Sequence, residues 1–143
     1  MIRKPFDPVL FDRYDEAGKQ KVADYIEWEW GCTVGEASKY GIDLVATRRG
    51  NPVGHIEVEV RNWGKDFCPF KTIHVPERKA KYLVQHDPAI LFAVCSTMTA
   101  GYWCNAKRIL SAPLVEVKNR EVATGEKFFD VPLAKFNYVR FVI

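Results

Sequence analysis

The sequence predicts a mixed α/β domain in which helices pack on a β-sheet. Three observations carry that expectation. An amphipathic segment at 13–30 repeats apolar residues at three- and four-residue spacing. Two short β-rich segments, at about 42–48 and 53–61, lie on either side of a turn. A continuous apolar run, Ile90-Leu91-Phe92-Ala93-Val94-Cys95, has the length and content of a central buried strand. The order is helix, strands, helix, strand and more strands, which fits one mixed sheet.

Residues 1–12 carry Pro and Phe and read as extended. The helix at 13–30 follows from Val22, Tyr25, Ile26 and Trp30, with Lys19, Lys21, Asp24 and Glu27 between them. Gly31 ends it. Trp28 and Trp30 read as packing residues. Cys32-Thr33-Val34 is a candidate first strand, followed by a polar connection through Gly35-Glu36-Ala37-Ser38. The two β-rich segments then meet around Gly50-Asn51-Pro52, which is strong turn chemistry. Residues 62–75 read as one long connection rich in aromatics, Gly and Pro. Pro76-Glu77 opens a second helix that reaches about His86, because Pro suits the first helical turn. Asp87-Pro88 closes it. After the buried run, Tyr102-Trp103-Cys104, 114–117 and the alternating 137–143 read as further strands. No repeat, low-complexity segment or linker divides the chain, so a single domain is expected.

Composition supports a folded protein. The 143 residues are 48% hydrophobic and 27% charged, which suits a globular domain and argues against a disordered one. The net charge of +3 permits a polyanionic partner without requiring one. Cys32, Cys68, Cys95 and Cys104 form no Cys-x-x-Cys pair and read as buried free thiols. No apolar stretch approaches the roughly 20 residues that span a bilayer, and no apolar signal region follows the N-terminus. These features imply a soluble chain in a reducing, cytoplasmic setting.

The chemistry concentrates in a short stretch. Asp43 stands in Ile42-Asp43-Leu44-Val45-Ala46, and Glu57 and Glu59 in His55-Ile56-Glu57-Val58-Glu59-Val60-Arg61. Strand side chains alternate, so His55, Glu57, Glu59 and Arg61 share one face while Ile56, Val58 and Val60 fill the other. If the two strands form a hairpin, Asp43 can face both glutamates. Carboxylates held together repel, and a hard divalent cation is the usual remedy. The same pattern also suits a half-exposed strand whose acids pair with Arg48 and Arg49.

This segment resembles the PD-(D/E)xK nuclease superfamily, the restriction-endonuclease-like fold, over roughly residues 14–95. The family core is a helix, a β-meander carrying the site, a second helix and a buried fourth strand. Asp43 matches the acid that opens the second strand. Glu57-Val58-Glu59 matches the acid-x-Lys motif with Glu in place of Lys, and Glu59-Val60-Arg61 matches it with Arg in that place. Ile42 stands where a proline precedes the first acid in the family. The resemblance implies a restriction-endonuclease-like mixed sheet flanked by helices, with an extra C-terminal β segment at about 101–143. It implies a metal-dependent phosphodiesterase, with Asp43, Glu57 and Glu59 as ligands of Mg²⁺ or Mn²⁺ and as catalytic residues. Glu59 could instead act as a base on water. Arg61 is too basic to do so and would clamp phosphate.

A basic segment follows. Arg78, Lys79 and Lys81 fall in the first turns of the second helix, where phosphate also meets the helix dipole. Lys79 is the candidate to replace the motif lysine. Lys65 and Lys71 flank Trp63, Phe67 and Phe70 in a loop that could line a nucleic-acid groove or fold back over the core. His74 reads as a structural hydrogen-bonder, and His55 sits at the edge of the acidic face. Glu27 or Glu29 could add an acid, although surface exposure suits both. The expected function is a Mg²⁺-dependent deoxyribonuclease, with RNA an open alternative substrate and a homodimer implied by the resemblance. The competing reading is a catalytically silent relative that binds nucleic acid or a protein partner.

Overall fold

The computed structural model describes residues 8–37, 42–116 and 126–141. Helix α1 spans Pro8–Trp30, and strands β1 (Thr33–Glu36), β2 (Leu44–Arg48) and β3 (Asn51–Arg61) follow it. Strand β4 (Thr72–Pro76) leads into helix α2 (Glu77–Val84), then β5 (Ala89–Cys95) and β6 (Ala100–Asn105). The remaining elements are helix α3 (Ala106–Leu110) and strands β7 (Leu114–Glu116), β8 (Lys127–Pro132) and β9 (Asn137–Arg140). A 3-10 turn at Leu133–Lys135 joins the last two strands.

Six strands form the main sheet in the order β1-β2-β3-β5-β6-β9. Only β3 and β5 run parallel; their register sets Glu57 beside Leu91 and Glu59 beside Ala93. Every other pair in this sheet is antiparallel. A parallel pair needs a crossover, and β4 with α2 supplies it. Strand β4 belongs to a second, three-stranded sheet ordered β4-β8-β7.

Two apolar cores lie on opposite faces of the main sheet. Val22 and Ile26 of α1 pack on Leu44, Ala46, Ile56, Val58, Phe92 and Val94. On the other face, Ala80 and Leu83 of α2 and Ile109 of α3 meet Leu91, Ala93, Cys95, Tyr102 and the small sheet's Ile73, Val75 and Val131. Strand β5 is buried on both faces, as its unbroken apolar run requires. All four cysteines are buried free thiols.

Two glycines decide local geometry. Arg49 and Gly50 turn β2 into β3, and both have positive φ (54° and 79°), as a two-residue hairpin turn requires. Pro52 is tolerated in β3 because β5 pairs with that strand only from His55 onward. At Gly18, an added Cβ would come within 2.7 Å of Val60 Cγ2. The missing side chain lets α1 lie close against β3.

The structure corrects four expectations. Helix α1 starts at Pro8, so residues 8–12 are helical rather than extended; Pro suits a first turn, where the N–H it lacks is not needed for a helical hydrogen bond. Residues 72–75 belong to strand β4 rather than to a connection, because β8 gives them a pairing partner. Trp28 is not a packing residue; it is 87% exposed, whereas Trp30 packs on Tyr25 and Trp103. Helix α2 stops at Val84, short of His86. Residues 1–7, 38–41, 117 and 142–143, which entered some of the sequence expectations, lie outside the described residues.

Candidate active site

Alternation along β3 builds the site. Ile56 and Val58 are buried beneath α1, which turns His55, Glu57, Glu59 and Arg61 to the face covered by α2. Asp43 lies one residue before β2, close enough for its charge to act on Glu57. Its Oδ2 accepts a hydrogen bond from the Val58 N–H at 2.8 Å. Its Oδ1 lies 3.3 Å from Lys19 Nζ, which also pairs with Asp15 at 3.0 Å. The close packing of α1 at Gly18 is what brings Lys19 this far.

Lys79 reaches in from the first turn of α2. Its Nζ donates to Glu59 Oε1 and lies 3.6 Å from Glu57 Oε1. Arg61 holds the other oxygen of Glu59, with Nη2 at 2.6 Å and Nε at 3.1 Å. The same Nη2 donates to the His74 carbonyl at 3.0 Å, which ties β3 to β4.

The two glutamates therefore differ. Burial pushes the Glu57 carboxyl up to about 7, and the negative charge of Asp43 adds to it, more than offsetting the pull of Lys79. Burial pushes Glu59 the same way, but Arg61 and Lys79 win and hold it below its ordinary range. Burial opposes the Lys79 ammonium, yet Glu59 holds its pKa above the usual lysine value. Lys19 behaves alike: burial opposes its charge, and Asp15 and Asp43 more than compensate.

Glu59 is held by two cations, whereas Asp43 meets one cation, Lys19, at 3.3 Å and Glu57 meets one, Lys79, at 3.6 Å, so Asp43 and Glu57 are the less tightly paired acids. Among the described residues, no three acidic, imidazole or thiol groups form a ready-made metal cage. Mg²⁺ does not need one, because it commonly takes one or two carboxylates together with waters and phosphate oxygens. Burial and then the Asp43 charge raise the Glu57 carboxyl, and a divalent cation would relieve the strain between the two acids.

The other predicted residues stand apart from this cluster. Arg78 is 86% exposed and points toward Glu126, and Lys81 pairs with Glu77 at 3.3 Å on the same helix. Lys65 and Lys71 are exposed on the 62–71 loop. His55 Nδ1 bonds the His86 carbonyl at 3.0 Å, and His74 Nε2 lies 3.1 Å from Asp130, so both imidazoles have structural partners. Glu27 and Glu29 are exposed. Lys19 was absent from the sequence-based site. The signal for it was Gly18 in register with Val22 and Ile26, which sets Lys19 beside the buried stripe.

No protein-family profile matches the sequence, and none of the curated proteins matches it. Among solved structures, the chain is similar to a nuclease from a fusselovirus, with 9% identity and a TM-score of 0.56, over 95% of this chain and 89% of that one. It also resembles a Holliday junction resolvase from Archaeoglobus fulgidus, with 15% identity and a TM-score of 0.46, over 78% of this chain and 80% of that one. The chain has the restriction-endonuclease-like fold, a multi-stranded mixed sheet flanked by helices. That is the fold of the PD-(D/E)xK nucleases, the superfamily its acidic motif resembles.

Proposed function

We propose that this chain is a metal-dependent endonuclease that hydrolyses DNA phosphodiester bonds. The observation that carries the reading is the clustering of Glu57, Glu59 and Lys79 on one face of β3, with the Asp43 charge near enough to raise the Glu57 carboxyl. Asp43 and Glu57 would hold Mg²⁺ or Mn²⁺. When bound, the ion supplies an acidified water and neutralises charge on the scissile phosphate. Lys79 stays protonated against Glu59 and so donates to a phosphate oxygen or to the attacking water. It takes the role of the lysine that the strand motif lacks. Glu59 positions Lys79 and Arg61, and its depressed pKa makes it a weak base. Arg61 presents a second cation toward phosphate.

DNA comes ahead of RNA in this reading, and the cytoplasm is its expected setting. No helix among the described residues is long and apolar enough to cross a membrane. One observation favours a second reading. Glu59 is already neutralised by Lys79 and Arg61, as it would be in a silent relative that only binds nucleic acid or protein.

The two readings separate when wild type and Asp43→Ala are incubated with plasmid, branched and single-stranded DNA in Mg²⁺, Mn²⁺ or EDTA. Metal-dependent cutting that disappears in the variant supports the nuclease. Absence of cutting by wild type on every substrate moves the conclusion to the binding domain.

A further inference from the structure

The loop at residues 62–71 leaves the end of the site strand and carries two aromatic rings that the core does not use. Phe67 is 45% exposed and Phe70 63%. The backbone beneath them is pinned along its length. Gly64 N–H donates to Ser96 Oγ at 3.1 Å, and the Thr97 hydroxyl donates to the Lys65 carbonyl at 3.3 Å. The Tyr138 hydroxyl donates to the Asp66 carbonyl at 2.6 Å. Cys68 N–H donates to the Tyr102 hydroxyl at 3.1 Å, and Leu133 N–H to the Lys71 carbonyl at 2.8 Å. Trp63 is turned inward onto Tyr102, with centroids 5.8 Å apart. The anchored loop thus keeps one aromatic for the core and presents two outward.

The charge around the outward rings is positive. Lys65 Nζ lies 5.4 Å from the Phe67 ring centroid, and exposed Lys71 follows Phe70 directly. The one acid of the loop, Asp66, is paired with Arg140 at 3.2 Å. Exposed phenylalanine forgoes hydrophobic burial, and a ligand with flat apolar faces restores it. The ammonium groups that flank the rings call for a ligand that also carries negative charge. An apolar protein surface does not meet that second demand, and bases stacked inside a duplex do not offer their faces.

We propose that residues 65–71 form a stacking platform for unpaired bases, so that the substrate of the adjacent site carries a single-stranded segment next to the bond it loses. The part about cleavage rests on the nuclease reading; the binding does not. Arg61 fixes the geometry by bonding both Glu59 and the His74 carbonyl, which holds the loop's base beside the acidic cluster.

The test measures binding without catalysis. Fluorescence anisotropy in EDTA would follow a labelled single-stranded oligonucleotide and its duplex on wild type, on Phe67→Ala with Phe70→Ala, and on Phe67→Tyr with Phe70→Tyr. The alanine pair should weaken single-strand binding about tenfold or more while duplex binding holds, and the tyrosine pair should retain both. Equal loss on both ligands, unchanged single-strand affinity, or no single-strand binding by wild type would overturn the platform. A wild-type dimer that the alanine pair dissociates, with oligonucleotide affinity unchanged, would assign the surface to a second copy and overturn it too. Because no cutting is read, each result stands whether or not the chain proves to be a nuclease.

Discussion

Glu57 is the residue whose environment makes the sharpest demands. Its folded pKa of about 7 lies above the ordinary carboxylate value of 4.5, so the folded state holds its proton more tightly than the unfolded state does. Its contribution to stability is therefore complete at acid pH and declines as pH rises toward about 7, by up to about 3 kcal/mol. Glu59 acts in the opposite sense and lower, losing its contribution as pH falls below the ordinary carboxylate range. In urea melts with EDTA, Glu57→Gln should remove the decline and be more stable than wild type above neutrality. A curve that still falls between about pH 5 and 7 would show that another group carries it. On the proposed reading a metal ion must also displace that proton, so Mn²⁺ affinity should drop as pH falls below about 7, by up to about tenfold per pH unit. Calorimetry in buffers of different ionisation enthalpy would count the proton released. Lys79→Met makes a second demand. Without the ammonium, the Glu57 carboxyl should titrate higher still, and cutting should fall by about 10²-fold or more, while Arg61 keeps Glu59 paired. A carbon-detected titration reads the first effect and a plasmid assay the second.

Among the elements, the contact between α1 and β3 decides whether Lys19 reaches the acids. Gly18→Leu forces a side chain against Val60 and should destabilise the fold by about 1–3 kcal/mol. A chemical melt checks the cost, and a variant as stable as wild type would mean that α1 can lift away freely. The elements also show what the sequence made legible. β3 was readable because Ile56, Val58 and Val60 alternate with acids, and β5 because six apolar residues run without a break. Those two strands carry the site face and the centre of the sheet, so the Asp43 and Glu57 pairing was within reach of the sequence. β4 was not, because its pairing with β8 joins segments far apart in the chain and no local pattern announces that partner. α3 is short and capped by Asn105, whose side chain accepts from Arg108 N–H at 2.7 Å; a single turn of helix gives too little periodicity to read. Lys19 escaped because its partner Asp43 is long-range. Lys79 was named from its place on a helix, while its bond to Glu59 became visible only when the crossover was folded over the sheet.

The whole molecule is held together by one strand shared between two cores. Phe92 and Val94 face α1, and Leu91, Ala93 and Cys95 face α2. Neither core can dissolve without exposing the other, so unfolding should be a single cooperative transition. Tryptophan fluorescence, which samples Trp30 and Trp103 on one face and Trp63 on the other, should coincide with far-UV circular dichroism in a urea titration. Separate midpoints would show that the faces unfold independently. The parallel pairing of β3 with β5 has a consequence for when activity can arise. Lys79 rides on the segment that joins these strands, and that segment is seated only when β5 slots in beside β3. The site therefore cannot be complete until β5 has paired with β3. On a ribosome, the acids of β3 emerge well before the strand that completes their surroundings. A nascent chain halted ahead of Ala89 would carry Asp43, Glu57 and Lys79 and still lack the strand that seats Lys79 against the acids; on the proposed nuclease reading, cutting would wait until synthesis has passed the sheet's centre.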